Sequence, residues 1–206
     1  MSPKPEALVF DFEGVIADTE PLYWRAWSEI LGARNIALDW DSYCRIGRGI
    51  RDEKMLDAIP ELAADPALRE SIRLQLPARR ELVRSWISER IPVSRETIRL
   101  LKSLDRYKLG IVTTSKRPEV EPILLGAGIR DCFAASVFGE DTLLHKPNAG
   151  PYLLMRQRLS IQGDAIAFED SDAGIVSAAT AGFRTIRVAA PDDLSRLVEA
   201  QLNWRQ

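Results

Sequence analysis

The chain has 206 residues, of which 46% are hydrophobic and 28% are charged, and its formal net charge is −2. These values are typical of a globular protein that is long enough to bury a sizeable core. The small net charge excludes the strongly basic surface that nucleic acids or acidic membranes attract, and the apolar runs are too short to span a membrane. Cys44 and Cys132 lie far apart with no metal-ligand neighbour, which favours reduced thiols. We therefore expect a cytoplasmic protein, monomeric or weakly dimeric, that binds neither nucleic acid nor membrane.

The first predicted strand carries the most informative segment of the chain. An apolar run, Leu8–Phe10, stops abruptly at Asp11. Glu13 follows two residues later, and Gly14 comes next. A carboxylate directly after a buried strand lies in the crevice where open α/β sheets bind ligands. The segment therefore predicts a polar site at the end of the first strand.

The interval from Thr19 to Glu89 contains no convincing strand. Three apolar stripes at helical spacing mark it: Trp24, Trp27 and Leu31; Leu56, Ile59 and Leu62; Leu82, Val83 and Trp86. A helical block inserted after the first strand predicts a small cap over the edge of a sheet, and Pro92 marks the return to the core. We therefore predict a core domain of residues 1–17 and 90–206 and a helical cap domain of residues 18–89.

Strands and helices alternate in the remaining sequence. Short apolar or β-branched runs predict four more strands: Leu109–Thr113, Ala134–Phe138, Ala165–Phe168 and Thr185–Val188. Helices are predicted at Arg95–Arg106, Glu119–Ala127, Pro151–Leu159 and Gly174–Ala181. Such alternation indicates βαβ units and a parallel sheet. The predicted fold class is α/β, a three-layer Rossmann-like core with a parallel sheet and an inserted α-helical cap.

Four short polar motifs follow predicted strands. They are Asp11–Gly14, Thr113–Ser115, Lys146-Pro147 and Glu169–Ser171. Because parallel strands bring their carboxyl ends to one edge of the sheet, we expect all four motifs at the same rim.

The rim combines several carboxylates with one ammonium group. Carboxylates packed together raise each other's pKa, and a divalent cation relieves the repulsion. Oxygen ligands with no nearby His or Cys favour Mg²⁺ over zinc. Lys146 and Thr113 are suited to hold an anionic oxygen group such as phosphate, and Asp11 is then placed to act as a nucleophile.

In this order the motifs resemble those of the haloacid dehalogenase superfamily, in the branch with a helical cap. The family pattern is Asp-x-Asp-Gly-x-x-x-Asp-Thr-Glu, then Thr or Ser after a strand, then Lys-Pro, then Glu-Asp-Ser-x-x-Gly. This chain has Asp11–Glu20, Thr113, Lys146-Pro147 and Glu169–Gly174 at these places. The resemblance covers nearly the whole chain and is nearest to β-phosphoglucomutases and phosphoglycolate-type phosphatases. It implies a Mg²⁺-dependent hydrolase of small phosphorylated metabolites.

The resemblance also implies a role for each motif. Asp11 forms an aspartyl phosphate, and Thr113, with the Thr114 amide, holds phosphate oxygens. Lys146 bridges the nucleophile and the phosphate. The implied Mg²⁺ ligands are Asp11, Asp170, Glu169 and the backbone carbonyl of Glu13. The Glu13 side chain protonates the leaving group and then activates water.

Three residues of the predicted cap are further candidates for substrate binding. Arg48 and Arg51 lie where relatives place a substrate-specificity loop, with a solvated surface as the alternative. Trp24 is a candidate platform, with packing in the cap core as the alternative.

Glu13 departs from the family pattern, which usually has Asp at this position. With an unchanged backbone the extra methylene shifts the acid by more than about 1 Å, and a misplacement of about 1 Å can cost on the order of 10²-fold in rate. The sequence therefore predicts a site that is slow or altered in substrate, in which Glu13→Asp raises turnover. Two other functions stay open: a sugar-phosphate mutase, which needs paired cap cations such as Arg48 and Arg51, and a catalytically weak binding or regulatory protein.

Overall fold

The computed structural model describes residues 4–48, 50 and 52–202 of the chain. Contacts between Cα atoms divide it into two compact units. The sheet unit comprises the residues up to Asp18 and those from Ile91 onwards, and the helical unit comprises Thr19–Arg90.

In the described part of the sheet unit, five parallel strands form one sheet in the order β3-β2-β1-β4-β5. The strands are β1 (Ala7–Phe10), β2 (Lys108–Val112), β3 (Ala135–Val137), β4 (Ala165–Glu169) and β5 (Arg184–Arg187). Each lies within one or two residues of its prediction. With the flanking helices described below, the sheet confirms the predicted α/β, Rossmann-like fold class.

Strand β1 lies at the centre of the sheet and decides where the site forms. All four of its residues are fully buried, as expected of a strand covered on both faces. It pairs with β2 on one side and β4 on the other, so that Val9 lies opposite both Gly110 and Ala167. The chain builds β2 and β3 on one side of β1 before it crosses to β4. The β1–β4 boundary is therefore a topological switch point, where open α/β sheets bind ligands.

Five α-helices belong to the described part of the sheet unit. They are α7 (Arg95–Ser103), α8 (Arg117–Gly126), α9 (Gly150–Arg158), α10 (Asp172–Thr180) and α11 (Leu194–Leu202). The Ser94 hydroxyl accepts from the Thr97 amide at the start of α7, and the Ser171 hydroxyl accepts from the Gly174 amide at the start of α10. The cap at Ser171 fixes the direction of the chain directly after β4.

The described part of the helical unit contains six α-helices. They are α1 (Glu20–Gly32), α2 (Trp40–Ile46), α3 (Asp52–Asp57), α4 (Pro60–Ala64), α5 (Pro66–Arg73) and α6 (Leu76–Glu89). The second predicted stripe is divided between α3 and α4 because Pro60 starts a new helix, and Pro66 starts α5 in the same way. Helix α2 was missed because its seven residues are too few for a clear apolar period.

The core of the helical unit surrounds Trp27, which is 1% exposed. Leu31, Met55, Leu56 and Leu62 are buried in the same cluster. Burial of side chains of this size contributes roughly 1.5–3 kcal/mol each. Packing rather than helix length therefore stabilises the short helices α3 and α4.

Two expectations from composition can be compared with the structure. Across the residues that the structure describes, every helix is too short or too polar to cross a membrane. Both cysteines carry free thiols, as predicted.

Candidate active site

The backbone of the site continues the hydrogen-bond ladder of the sheet. The Asp11 amide donates to the Phe168 carbonyl at 2.9 Å, and the Thr113 amide donates to the Val137 carbonyl at 3.0 Å. Each residue lies one position beyond its strand. Their side chains therefore start from backbone that the sheet holds in place.

The charged side of the site consists of Asp11, Lys146, Glu169 and Tyr152. The Lys146 ammonium lies 3.0 Å from Asp11 Oδ1 and 2.5 Å from Glu169 Oε1, and it donates to the Val112 carbonyl at 2.9 Å. The Tyr152 hydroxyl donates to Glu169 Oε1 at 2.7 Å. Glu169 is fully buried, and the Lys146 side chain is 5% exposed. Lys146 thus links the ends of β1, β2 and β4.

Burial and charge shift the protonation of this group in opposite directions. Burial raises the pKa of Asp11 well above its ordinary value; the Lys146 ammonium opposes the rise, and the Glu169 carboxylate adds to it. Burial alone lowers the pKa of Lys146, but the carboxylates of Asp11 and Glu169 outweigh it, so the pKa lies above its ordinary value. Lys146 is therefore a fixed positive charge beside a carboxyl group that is costly to ionise.

The donor set fits a hard divalent cation. Carboxylate oxygens of Asp11, Glu169 and Asp170 lie within 4.8 Å of one another. The Lys146 ammonium lies beside Asp11 and Glu169, and Asp170 adds a third carboxylate to the group. A bound cation would favour the ionised form of carboxylates grouped in this way. Oxygen-only ligands are those that Mg²⁺ prefers.

Two glycines make room for these carboxylates. Gly14 adopts a φ of +71°, and a β-carbon there would collide with the Asp170 carboxylate. A β-carbon at Gly174 would collide with the Glu169 carboxylate. Backbone therefore packs directly against the acidic cluster, as only glycine allows.

The hydroxyl side of the site consists of Glu13, Thr113 and Ser115. The Thr113 hydroxyl donates to Glu13 Oε2 at 2.9 Å, and the Ser115 hydroxyl donates to Oε1 at 2.5 Å. The Ser115 amide donates to the Thr113 hydroxyl at 2.9 Å. Burial raises the pKa of Glu13, although the bonds from Ser115 and Thr113 oppose the rise. Glu13 is therefore held by neutral donors, unlike Asp11.

The remaining predicted residues are more dispersed. Thr114 is exposed on the loop between Thr113 and Ser115. Trp24 and Arg48 belong to the helical unit: Trp24 donates its indole N–H to the Leu38 carbonyl at 2.9 Å and packs against Trp40, and Arg48 is exposed after α2. Arg51 lies outside the described residues.

Sequence reasoning missed two contacts of the site. Tyr152 was read only as part of an apolar helix, because one hydroxyl does not change the helical pattern. Ser115 was included in a motif, but its bond to Glu13 was not foreseen. The only available signal was the length of Glu13 itself, which reaches a second hydroxyl that the usual Asp would not.

Comparison with known proteins identifies the family. The model of the family described as haloacid dehalogenase-like hydrolase matches residues 8–188. The chain belongs to this family. The resemblance inferred from the four motifs is thereby confirmed.

Two similar relatives of this hydrolase are phosphatases. The phosphorylated carbohydrates phosphatase of Thermotoga maritima is 29% identical over 198 residues, which cover 95% of this chain and 91% of that protein. The fructose-1-phosphate phosphatase of Escherichia coli is 31% identical over 192 residues, which cover 88% of this chain and 95% of that protein. The prediction of an enzyme of the phosphatase class is confirmed.

A solved structure shows the same fold. β-Phosphoglucomutase from Clostridium difficile superposes with a TM-score of 0.72 over 97% of both chains. Its sequence identity to this hydrolase is 21%, so the comparison supports the fold alone.

Proposed function

We propose that this hydrolase is a Mg²⁺-dependent phosphatase of small phosphorylated metabolites, with Asp11 as its nucleophile. The observation that carries the proposal is the position of Asp11, which follows the central strand, bonds to the buried Lys146 ammonium and shares an acidic cluster with Glu169 and Asp170. A carboxylate nucleophile, a fixed cation and a cation-binding cluster are the components that phosphoryl transfer requires.

The proposed first step transfers the phosphoryl group to Asp11. The Phe12 amide and Lys146 both bond to Oδ1 and so orient the carboxylate, at 2.7 Å and 3.0 Å. We assign the attack to Oδ2: its bond to phosphorus forms as the ester P–O bond breaks. Glu13 gives its proton to the leaving alkoxide. Lys146 stabilises the charge that develops on the phosphoryl oxygens.

The second step returns the enzyme to its starting state. Water attacks the aspartyl phosphate, Glu13 takes the proton of that water, and inorganic phosphate leaves as Asp11 is restored. The Thr113 hydroxyl and the Thr114 amide are assigned to the phosphate oxygens in both steps.

We assign Mg²⁺ binding to the carboxylates of Asp11, Glu169 and Asp170 together with the backbone carbonyl of Glu13. When bound, the cation supplies positive charge that favours ionised Asp11 and offsets the charge of the phosphate group. The two phosphatases named above act on phosphorylated carbohydrates, as their names state, and we infer a phosphorylated sugar as the substrate here.

We assign substrate selection to the helical unit, as the cap domain of residues 18–89, with residues 1–17 and 90–206 as the catalytic domain. Within the cap, Arg48, Arg51 and Trp24 are the proposed substrate contacts. Function follows from specific residues and not from the fold, so the identity of the sugar needs a direct assay.

Phosphate release across a panel of esters tests the proposal. The panel contains fructose 1-phosphate, glucose 6-phosphate and phosphoglycolate, each with Mg²⁺ and with EDTA, and Asp11→Asn as the control protein. We expect Mg²⁺-dependent release from at least one sugar phosphate and none from the control. Release that EDTA does not reduce, or no release from any ester, would contradict the proposal. Conversion of β-glucose 1-phosphate to glucose 6-phosphate without phosphate release would favour the mutase instead.

A further inference from the structure

The extra methylene of Glu13 is used in this chain. Its two carboxylate oxygens each accept a different hydroxyl, Oε2 from Thr113 and Oε1 from Ser115. An aspartate is about 1 Å shorter, a displacement of the size that can decide the rate of a reaction. The glutamate side chain at position 13 is therefore of the length needed to accept the hydroxyl at position 115.

The surrounding backbone fixes the direction of these bonds. The Ser115 amide donates to the Thr113 hydroxyl, so the proton of that hydroxyl is left to point at Glu13. The Ser115 carbonyl accepts from the Gly139 amide at 2.9 Å, which ties the same residue to the loop after β3. Hydrogen bonds thus fix both the amide and the carbonyl of Ser115. The backbone position from which its hydroxyl reaches Glu13 is therefore fixed as well.

The two hydroxyls cannot keep the same role during the proposed reaction. A hydroxyl has one proton to donate. If Thr113 donates to a phosphate oxygen, it can no longer donate to Glu13. Among the hydroxyls that bond Glu13 in the described part of the chain, Ser115 alone then continues to hold the carboxyl group.

We propose that Ser115 is the positioning residue for Glu13, and that the Glu13–Ser115 pair replaces the shorter aspartate of the family as a working acid–base unit. The inference rests on the proposed function, because it assigns the acid–base group of that reaction. It goes beyond that function by naming the residue that allows a glutamate at this position to act as the acid–base group. It also reverses the expectation from sequence: Glu13 is fitted to its site, and Glu13→Asp lowers turnover.

A double-mutant cycle tests the pair. The proteins are the wild type, Glu13→Asp, Ser115→Ala and the double variant, assayed with Mg²⁺ on the best ester of the panel. We expect Ser115→Ala to lower kcat roughly tenfold or more, the rate equivalent of a hydrogen bond to a charged group, with KM nearly unchanged. In the Glu13→Asp background the same substitution should change kcat less than about twofold, because a shorter side chain no longer reaches Ser115.

Matched variants separate positioning from a general structural role. Ser115→Thr keeps the hydroxyl and should recover most of kcat. Ser103→Ala removes a serine hydroxyl that donates to the Leu100 carbonyl at 2.7 Å in the same unit, and it should leave kcat unchanged. An equal loss from Ser115→Ala in both backgrounds, or a rise in kcat in Glu13→Asp alone, would overturn the inference.

Unfolding of the metal-free proteins separates this inference from the proposed function. The Glu13–Ser115 contact exists without substrate or cation, so the cycle should show coupling in denaturant midpoints as well as in kcat. If no ester is hydrolysed but coupling in unfolding is present, the proposed function fails and the contact stands without its catalytic role. If hydrolysis is normal and coupling is absent from both measurements, the inference alone fails.

Discussion

The two sides of the site hold buried carboxyl groups in different ways. On the charged side, Asp11 and Glu169 share the Lys146 ammonium. On the hydroxyl side, Glu13 is bonded by Thr113 and Ser115, neither of which carries charge. An ammonium favours an ionised carboxylate, whereas hydroxyls can serve either protonation state because they both donate and accept. Burial raises the pKa of both carboxyl groups. With the proposed cation bound beside Asp11, the difference would suit an ionised nucleophile on one side and an acid that gains and loses a proton on the other.

The largest expected effect is on the charged side, at the nucleophile. Asp11→Asn should reduce phosphate release at least about 10³-fold, because loss of a covalent nucleophile removes the pathway itself. The metal-free variant should nevertheless be as stable as the wild type or more stable at neutral pH, since burial raises the pKa of Asp11 and makes its charge costly. Rate assays and denaturant unfolding on the same preparations measure both properties.

The pH dependence of unfolding provides the control for Asp11→Asn. The folded-state pKa lies above the unfolded value of about 3.9, so folding favours the protonated form of Asp11. The stability of the metal-free wild type relative to Asp11→Asn should therefore fall as the pH rises from about 4 through the raised pKa. A relative stability that rises over this range would show that Lys146 outweighs burial.

Removing the ammonium tests the charged side as a unit. Lys146→Met leaves Asp11 and Glu169 buried without their shared cation, which should cost about 3–5 kcal/mol in the free energy of unfolding of the metal-free protein and reduce kcat about 10²–10³-fold. Mg²⁺ should recover part of the stability, because a bound cation relieves the same carboxylates. Lys108→Met is the control, since its ion pair with Glu6 is partly exposed, with the two side chains 43% and 30% accessible. Equal destabilisation by the two variants would contradict a special role for Lys146.

On the hydroxyl side, Thr113→Val keeps the shape of the side chain but removes its hydroxyl. The change leaves Glu13 Oε2 and the Ser115 amide without a partner that both have in the wild type. We expect a loss of about 1–3 kcal/mol in the free energy of unfolding and on the order of 10²-fold in kcat. Thr113→Ser, which keeps the hydroxyl, should retain most of the activity. If Thr113→Val reduced kcat more than Lys146→Met, the ranking of the two sides would be wrong.

The smallest expected effect is at Tyr152, a fully buried residue that bonds to Glu169 on the charged side. Tyr152→Phe removes the hydroxyl that donates to Glu169 Oε1, while Lys146 still bonds to the same oxygen. We expect a cost of about 1.5–3 kcal/mol in unfolding but less than about a tenfold change in kcat. Tyr107→Phe, at a half-buried position just before β2, serves as the comparison. A larger loss of kcat would mean that Tyr152 orients Lys146 as well as Glu169.

The residues nearest the strand ends were predictable from sequence. Asp11, Thr113 and Glu169 each follow or close an apolar run, and parallel pairing brings such positions together whatever the details of packing. Lys146 lies farther along the loop after β3 and was predicted from its Lys-Pro motif. Four of the described helices of the sheet unit, α7 to α10, were predictable for a similar reason, since their apolar periods are local signals. Helix α11 was not predicted.

Contacts that depend on the length and direction of a side chain were not predictable from the pattern of strands. The expectation that Glu13 is merely displaced assumed an unchanged environment, and the Ser115 hydroxyl lies where only packing in three dimensions reveals it. In the helical unit, Pro60 starts a new helix inside a stripe that periodicity alone predicted as continuous. Roles assigned to Arg48, Arg51 and Trp24 stay predictions.

The backbone hydrogen bonds of the Asp11 and Thr113 amides determine how these amides exchange hydrogen with solvent. Both amides donate to neighbouring strands, at 2.9 Å and 3.0 Å, so neither can be released while the sheet is intact. Their hydrogens should exchange with solvent only when the whole sheet unit unfolds, at a rate set by its global stability. Local opening of the loops therefore does not break the backbone hydrogen bond of the nucleophile. Loss of activity on long incubation should follow the unfolding of the sheet unit.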